Sequence, residues 1–564
     1  MQRLLYIIFV FLLITALKAA DSPVSVPLHK PVYDFLERME TLGITGNQLN
    51  GALPLSRGRV AQLLRQVALN RLRLTPIDQR RLDDFLLDFR RELRPDEKYA
   101  RIEKGKSWYS TLASFHNLKK DFFEALRQKY PEEENHLFLW ETGDSSFYMD
   151  YRQVFTYDGR SDGPARNANE QTYLFRGAIG DFSFQWQVSL QAVRGDAAYR
   201  KQDSLLKNTF IQDSENGNTT YADRTGGELA WHFRAFDFSF AQQPLQWGPG
   251  ESGHLLLSDG PEQYPYISIN KNWGWGRFTM IHAKLQSFLQ STLDDGTRIY
   301  PDKWLAAHRL EIAPWDNFSF GLSEMFVYGN RYADWSYLFP LNFYRAVQHK
   351  LRDRDNAAIA LDAEWMPMNG VKLYGAVFLD DMKFDSLGGH WYGNKQAVQA
   401  GLNWYDPFGW ANARFSTEYV AIMPWVYTHK FAVNTYTSDN RSLGYWAGPN
   451  SEVIFWELQK DFHARFSAGV RWQKLRKGHN LPNANIGGDI NLGHNTLLGN
   501  QLEPRRKRYF LEGELETRQE TTLFARYEVF NDLYLSASYI FTHRSMSGET
   551  NDYNSLHFGF LFGY

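Results

Sequence analysis

The sequence predicts an all-β transmembrane β-barrel of about 18 antiparallel strands, preceded by a small periplasmic α-helical domain. Three observations carry that expectation. The chain ends on "SLHFGFLFGY", where Leu556, Phe558, Phe560, Phe562 and Tyr564 occupy every second position. A strand with so continuous an apolar face needs a core or lipid against it, and as a free edge it would template aggregation. Aromatic residues make up 16% of the chain (41 Phe, 31 Tyr and 18 Trp), yet the mean hydropathy is only -0.48. Past the first twenty residues, no apolar run approaches the roughly 20 residues that a transmembrane helix needs. A barrel reconciles all three, because only alternate residues face lipid and aromatic girdles sit at both interfaces.

Residues 1–20 read as a secretory signal peptide. Arg3 precedes the apolar run Leu4 to Leu17, and Ala19 and Ala20 follow, with Lys18 an irregularity ahead of the cleavage site. The mature chain is expected to start near Asp21. The 564 residues contain no cysteine. Disulfides, thiolate zinc sites and a lipoprotein anchor are therefore excluded, and the composition fits export through an oxidising compartment. A net charge of -2 gives no global attraction to nucleic acid.

Residues 21–135 are expected to form the helical domain. In "HKPVYDFLERMETLG" Val32, Phe35, Leu36 and Met39 share one helical face, and Gly43 is the stop signal. "PLSRGRVAQLLRQVALNRL" offers Ser56 as N-cap ahead of Val60, Leu63, Leu64 and Val67. "TPIDQRRLDDFLLDFRREL" offers Thr75 as N-cap with Pro76 at the first helical position. A fourth candidate is "LKKDFFEALRQKY", ended by Pro131.

Residues 136–564 are expected to form the barrel, because from about residue 136 the period changes to two. In "DFSFQWQVSLQAV" Phe182, Phe184, Trp186, Val188 and Leu190 alternate with Ser183, Gln185, Gln187 and Ser189, polar to the lumen and apolar to lipid. Tight turns recur near residues 180, 235, 270, 314, 367, 406, 460 and 530, and longer polar segments separate the strands at their other ends. Eight such turns join sixteen strands, and the first and last strands complete the count of about 18. Both barrel ends then lie on the short-turn, periplasmic side. "SLHFGFLFGY" becomes the closing strand, which pairs with the first and removes the edge. Its terminal aromatic resembles the C-terminal signal read by outer-membrane assembly machinery.

The third long loop carries "QQPLQWGPGESGHLLLSDG", and here the sequence resembles the Wzi family of capsule assembly proteins, outer-membrane lectins of capsulated bacteria. Gln243, Pro244, Gln246, Trp247, Gly248, Pro249, Gly250, Gly253, Leu255 and Asp259 match the family's order. "PLNFYRAVQHK", "DRDNAAIALDAEWMP" and "MPWVYTHK" resemble its longer-looped branch. The resemblance implies a barrel closed at its periplasmic end by the helical head, with long loops that hold capsular polysaccharide or exopolysaccharide. It implies no catalysis and no cofactor, and it does not identify the sugar. Export machinery is an implied partner, and nucleic acid is not.

On that basis the candidate polysaccharide-binding residues can be weighed. Trp247-Gly248-Pro249-Gly250 has two readings: proline and glycine fold the loop sharply over the lumen, or an exposed indole stacks on a sugar ring. Trp425 and Tyr427, with His429, carry the same two readings, and an interfacial aromatic belt is their default. Arg345 in "NFYRAVQHK" is the best candidate in the fifth loop to pair with an acidic sugar, since guanidinium engages a carboxylate through two hydrogen bonds. The eighth loop, expected over 474–515, has Lys474, Arg476 and Lys477 at one end and Arg505, Arg506, Lys507 and Arg508 at the other. That positive belt suits either lipopolysaccharide phosphates or an acidic capsular polymer. A diffusion porin or solute channel is the alternative function, although a porin has no need of a helical domain at its mouth. A barrel phospholipase would need a serine beside an oriented histidine, and His479 and His494 have no persuasive nucleophile, so no catalytic residue is assigned. The histidines form no metal-ligand pattern, and "DDGTRIYPDK" lacks calcium-loop spacing.

Overall fold

A computed structural model describes residues 22–93, 136–142, 145–202, 206, 211–352, 354–381, 390–391, 393–492, 507–530 and 532–563. The signal peptide, the fourth helix, His494, Arg505, Arg506 and Tyr564 lie outside the described residues.

The helical head follows the sequence signals closely. Helix α1 (Val32–Thr41) buries Val32, Phe35, Leu36 and Met39, and the chain turns at Gly43 with φ +66°. A side chain there would meet Asn369 of a barrel turn at 2.6 Å, so glycine serves both the left-handed turn and the close approach. Helix α2 (Arg57–Leu69) starts on Ser56, whose hydroxyl accepts from the Arg59 N–H. Helix α3 (Pro76–Asp88) starts on Thr75, whose hydroxyl accepts from the Asp78 N–H. Caps of this kind satisfy donors the helix leaves open and are worth about 1 kcal/mol each. The three helices share one core with Val60, Leu64 and Leu82 at its centre.

Eighteen antiparallel strands close the barrel. The first six are β1 (Ser145–Arg160), β2 (Ala165–Ile179), β3 (Phe182–Gly195), β4 (Thr219–His232), β5 (Asp237–Gln242) and β6 (Pro265–Asn272). There follow β7 (Gly276–Leu285), β8 (Lys303–Trp315), β9 (Phe318–Gly329), β10 (Asn356–Met368), β11 (Val371–Asp381) and β12 (Lys395–Tyr405). The last six are β13 (Ala413–Ile422), β14 (Ser451–His463), β15 (Phe466–His479), β16 (Glu514–Phe530), β17 (Leu533–Met546) and β18 (Glu549–Gly563). Seven of the eight short turns fall where the sequence places them, and the one expected near 460 lies at 464–465, because β14 runs on to His463. β18 pairs with β1 from Ser555↔Arg160 to Gly563↔Arg152, so the apolar terminal strand is the closing one. Beyond that pairing, the short strand Phe138–Thr142 covers the start of β1, beside Ser145–Met149.

The head sits in the short-turn mouth of this barrel. Arg38 is buried and bridges Asp78 of α3 (3.1 Å) and Asp406 of the β12–β13 turn (3.0 Å). Arg81 pairs with Asp461 at 2.7 Å, and the Ser25 N–H donates to Glu228 of β4 at 2.7 Å. Deeper in, the Arg277 guanidinium of β7 donates to the Ala52 carbonyl at 2.7 Å. Above the head the lumen is a packed core. Inward-facing Ile281, Leu305, Ala307, Met325 and Val327 meet Trp247 and Leu255–Leu257 from residues 243–264, and Tyr427, Tyr436 and Tyr445 from residues 423–450.

Candidate functional site

At the long-loop rim, the third (243–264), seventh (423–450) and eighth (480–513) loops enclose a cleft of about 640 Å³. Each loop is held by the one below it. The third loop descends into the lumen, where Gln246 and Trp247 pair as a strand with Leu53 and Ala52 of the head. It then turns back through Gly248 (φ +85°) and is pinned by the N–H groups of Glu251 (2.8 Å) and Ser252 (3.2 Å), which donate to Glu418 of β13. The seventh loop packs on it: the Tyr427 hydroxyl donates to the Leu255 carbonyl at 2.8 Å, and the Tyr436 hydroxyl to that of Leu256 at 2.7 Å. The eighth loop interlocks with the seventh where the Trp425 N–H donates to the Gly487 carbonyl at 3.0 Å.

The cleft walls mix an aromatic ring with polar groups. The Trp446 indole is 40% exposed, stacks on Tyr445 at 5.5 Å, and is fixed by its N–H, which donates to the Ser252 carbonyl at 2.8 Å. Around it stand Asn440, Arg441, Ser442, Lys477, His479, Asn480 and Asp489. Asn480 uses its carbonyl oxygen to accept from the Ile486 and Gly488 N–H groups, while its buried Nδ2 makes no hydrogen bond. His479 pairs with Glu516 at 2.7 Å. Burial lowers the affinity of Arg441 for its proton, against Asp439 and Glu262, which oppose that shift. Burial likewise pushes the Glu262 carboxyl up to about 7, with Asp439 adding to it and Arg224 opposing. A flat apolar ring amid amides, hydroxyls and two cations is suited to a polyhydroxylated ligand with an apolar ring face.

The candidates singled out from the sequence are distributed differently. Trp247 is buried at the centre of the lumen, so its indole is not exposed as the stacking reading required. Trp-Gly-Pro-Gly acts as a loop-folding motif: a side chain at Gly248 would meet Leu256 at 2.9 Å, and one at Gly250 would collide with the Gly253 carbonyl. Trp425 and Tyr427 form no aromatic belt. Both are wholly buried beneath the cleft with positive φ (72° and 69°), held in that geometry by interlocking loops. Arg345 lies on a short helix against the outside of the barrel, where it donates to Gln348 at 2.7 Å, and it does not line the cleft.

The basic belt is also corrected. β15 runs to His479 and β16 begins at Glu514, so Lys474, Arg476 and Lys477 are strand residues and the segment between the two strands is 480–513 rather than 474–515. Lys477 donates to the Pro449 carbonyl at 3.2 Å, and Arg476 pairs with Glu452 at 3.4 Å. Lys507 forms a bridge with Trp391, which lies between β11 and β12, and Arg508, 9% exposed, donates to the Trp391 carbonyl at 3.3 Å. Trp446, missed in the sequence, had one local signal: "LGYWAGPN" puts an aromatic pair one residue ahead of Gly448-Pro449-Asn450. Among the described residues, no group of three or more His, Cys, Asp or Glu side chains is arranged to hold a metal ion.

Residues 150–555 match the model of a family described as capsule assembly protein Wzi. Among solved structures, the chain is similar to Wzi of Escherichia coli, an outer membrane protein involved in group 1 capsule assembly and described as a carbohydrate-binding β-barrel. The TM-score is 0.55 at 13% identity, over 96% of this chain and 98% of that one. OprD of Pseudomonas aeruginosa gives a TM-score of 0.41 at 11% identity over 74% of this chain and 95% of that one. OccAB2 of Acinetobacter baumannii gives 0.42 at 11% identity over 74% and 98%. No curated protein matches the chain.

Proposed function

The chain belongs to the Wzi family of capsule assembly proteins, and on that premise we propose that it is a non-catalytic lectin of the outer membrane. It binds exported capsular polysaccharide or exopolysaccharide in the cleft between the third, seventh and eighth loops, and so helps retain the polymer on the cell. The observation that carries this reading is Trp446, a large aromatic ring held partly exposed in a polar cleft. Pyranose C–H faces stack on such a ring, while Asn440, Asn480 and Ser442 are of the right chemistry for hydroxyls. Arg441 and Lys477 give the cleft a preference for acidic sugars. In this reading Trp247, Gly248, Pro249, Gly250, Trp425 and Tyr427 support the cleft floor and do not touch the sugar. The basic run Arg505, Arg506, Lys507 and Arg508 has the charge to attract lipopolysaccharide phosphates or an acidic polymer, and the helical head faces the periplasm, where export machinery can reach it.

The packed lumen favours this function over a porin or solute channel, for which an open aqueous path is needed. The test is binding of the polysaccharide shed by the producing cells to the purified protein and to Trp446→Ala. Loss of one stacking contact of about 1 kcal/mol weakens binding roughly fivefold per site, with the folded barrel unchanged in heat-modified gel mobility. Equal binding by both proteins would move the site away from the cleft. Large, steady conductance of the full-length protein in planar bilayers would replace the lectin reading with a channel.

A further inference from the structure

The fifth loop, residues 330–355, folds down over the outside of the barrel. Strand parity makes this clear. On β8 and β9 the residues facing the lumen are Leu305, Ala307, Met325 and Val327, which join the lumen core. Their neighbours Ala306, Phe326 and Tyr328 face the opposite way, as do Leu322 and Phe320, which are exposed on the lipid side. Yet Ala306, Phe326, Tyr328 and Ala357 are buried, in a separate cluster with Tyr337 and Tyr344 of the fifth loop.

Two short helices make that cover, α4 (Trp335–Leu338) and α5 (Tyr344–Lys350). They are anchored to outward-facing polar groups of the wall. The Tyr344 N–H donates to Glu324 at 2.9 Å, and the same carboxylate pairs with His308 at 2.9 Å, whose ring lies 4.3 Å from that of Tyr344. The Tyr328 hydroxyl meets His282 at 2.7 Å and accepts from the Asp334 N–H at 3.0 Å. Arg331 closes the loop through two hydrogen bonds to Asp355 (2.8 and 2.7 Å). The flap therefore hides a Glu and two His side chains that would otherwise face hydrocarbon, where such groups are costly.

What the flap turns outward is apolar. Trp335 is 85% exposed, Leu341 76%, Phe343 62% and Phe339 56%. Glu324 holds Tyr344, next to Phe343, and on the same face of β9 Leu322 and Phe320 follow two and four residues below it, with exposed Leu361 of β10 opposite Leu322. The depth also fits. Ten steps from Phe318 to Tyr328 at about 3.4 Å, tilted by about 40°, rise about 26 Å, close to the apolar height of roughly 25 Å in such barrels. The stretch from Glu324 to Tyr328 then occupies the outermost 10 Å or so of the band. We infer that the flap is embedded in the outer leaflet, with Trp335, Phe339, Leu341 and Phe343 among acyl chains. His349 and Lys350, exposed at the end of α5, meet the phosphates above. The inference rests on the barrel spanning a membrane and is independent of the sugar cleft.

The chain has no cysteine, so a nitroxide can be placed at one site. Leu341→Cys and Phe343→Cys, each in the full-length protein, are labelled and reconstituted in phosphatidylcholine–phosphatidylglycerol vesicles. Asn216→Cys, in an exposed polar loop, is the aqueous control. Power-saturation spectroscopy then compares collision with dissolved oxygen and with a water-soluble nickel chelate. Embedding predicts that oxygen is favoured at 341 and 343 at least several-fold over its ratio at 216, in barrels that retain heat-modified mobility. Chelate access equal to that at 216 would overturn the inference by making the flap water-facing. Shielding from both reagents would overturn it in favour of a protein contact, such as a second copy of the chain.

Discussion

Ala52 of the helical head and Trp247 of the third loop are antiparallel strand partners inside the barrel. Beside them the Gly248 N–H donates to the Gly51 carbonyl at 2.8 Å. The closure of the short-turn mouth and the floor of the long-loop cleft are thus one continuous structure, joined at the Trp-Gly-Pro-Gly turn.

Trp247 fills the centre of that join. Trp247→Ala leaves a large buried cavity, and truncations of this kind cost about 3–5 kcal/mol. The closed wall survives, so the cost appears as loosening of the third loop. The expected outcome is a rise in small-ion conductance in planar bilayers together with weaker polysaccharide binding, while gel mobility stays that of a folded barrel.

Arg38 ties the head to the wall. Removing one partner of a buried ion pair leaves the other charges uncompensated, at about 3–5 kcal/mol. Arg38→Ala therefore frees Asp78 and Asp406 together and should increase protease cleavage between residues 22 and 93. Deletion of residues 22–93 should leave a barrel that inserts and conducts small solutes. Equal conductance of the deletion and the full chain would show that the head does not seal the lumen.

Glu251, beside Asn403 and Arg414, gives the inner network a pH dependence. Burial first, and then Glu37 and Glu457, push its carboxyl from 4.5 up to about 7, against the opposing pull of Arg414. Burial pushes Glu40 of the head up to about 7 as well, with Lys372 opposing. A raised carboxyl holds its proton in the folded state at pH values where the unfolded chain has lost it. Its stabilising contribution is complete below about 4.5 and is lost as pH rises towards 7. The temperature at which the folded band converts on a gel should fall across that window, and Glu251→Gln should flatten the fall.

Phe562 pairs with Leu533 across β18 and β17, in the strand that closes the barrel. Phe562→Ser places a hydroxyl on its apolar face next to the short-turn rim. The expected result is a clear loss of protein from outer-membrane fractions with total synthesis unchanged. Normal membrane levels would separate closure from assembly.

Much of this molecule was legible from local chemistry. Pleat alternation against lipid, short turns at fixed places and the caps Ser56 and Thr75 are properties of a few adjacent residues, so the strand count and the first three head helices could be read directly. The direction of a long loop is set by partners far away in the chain. Trp247 is buried because Ala52 pairs with it, and Trp425 and Tyr427 because Gly487 and Leu255 receive their hydrogen bonds. Trp446 stays partly exposed because Ser252 holds its indole N–H at the edge of the cleft. The fifth loop lies outside the wall because Glu324, His308 and Tyr328 face outward and need polar partners in a place where water is excluded. Sequence alone determined which segments are strands, since each strand carries its own two faces. Only tertiary structure decided which aromatic side chains meet solvent, lipid or one another, because that choice follows from contacts between loops that no single segment encodes.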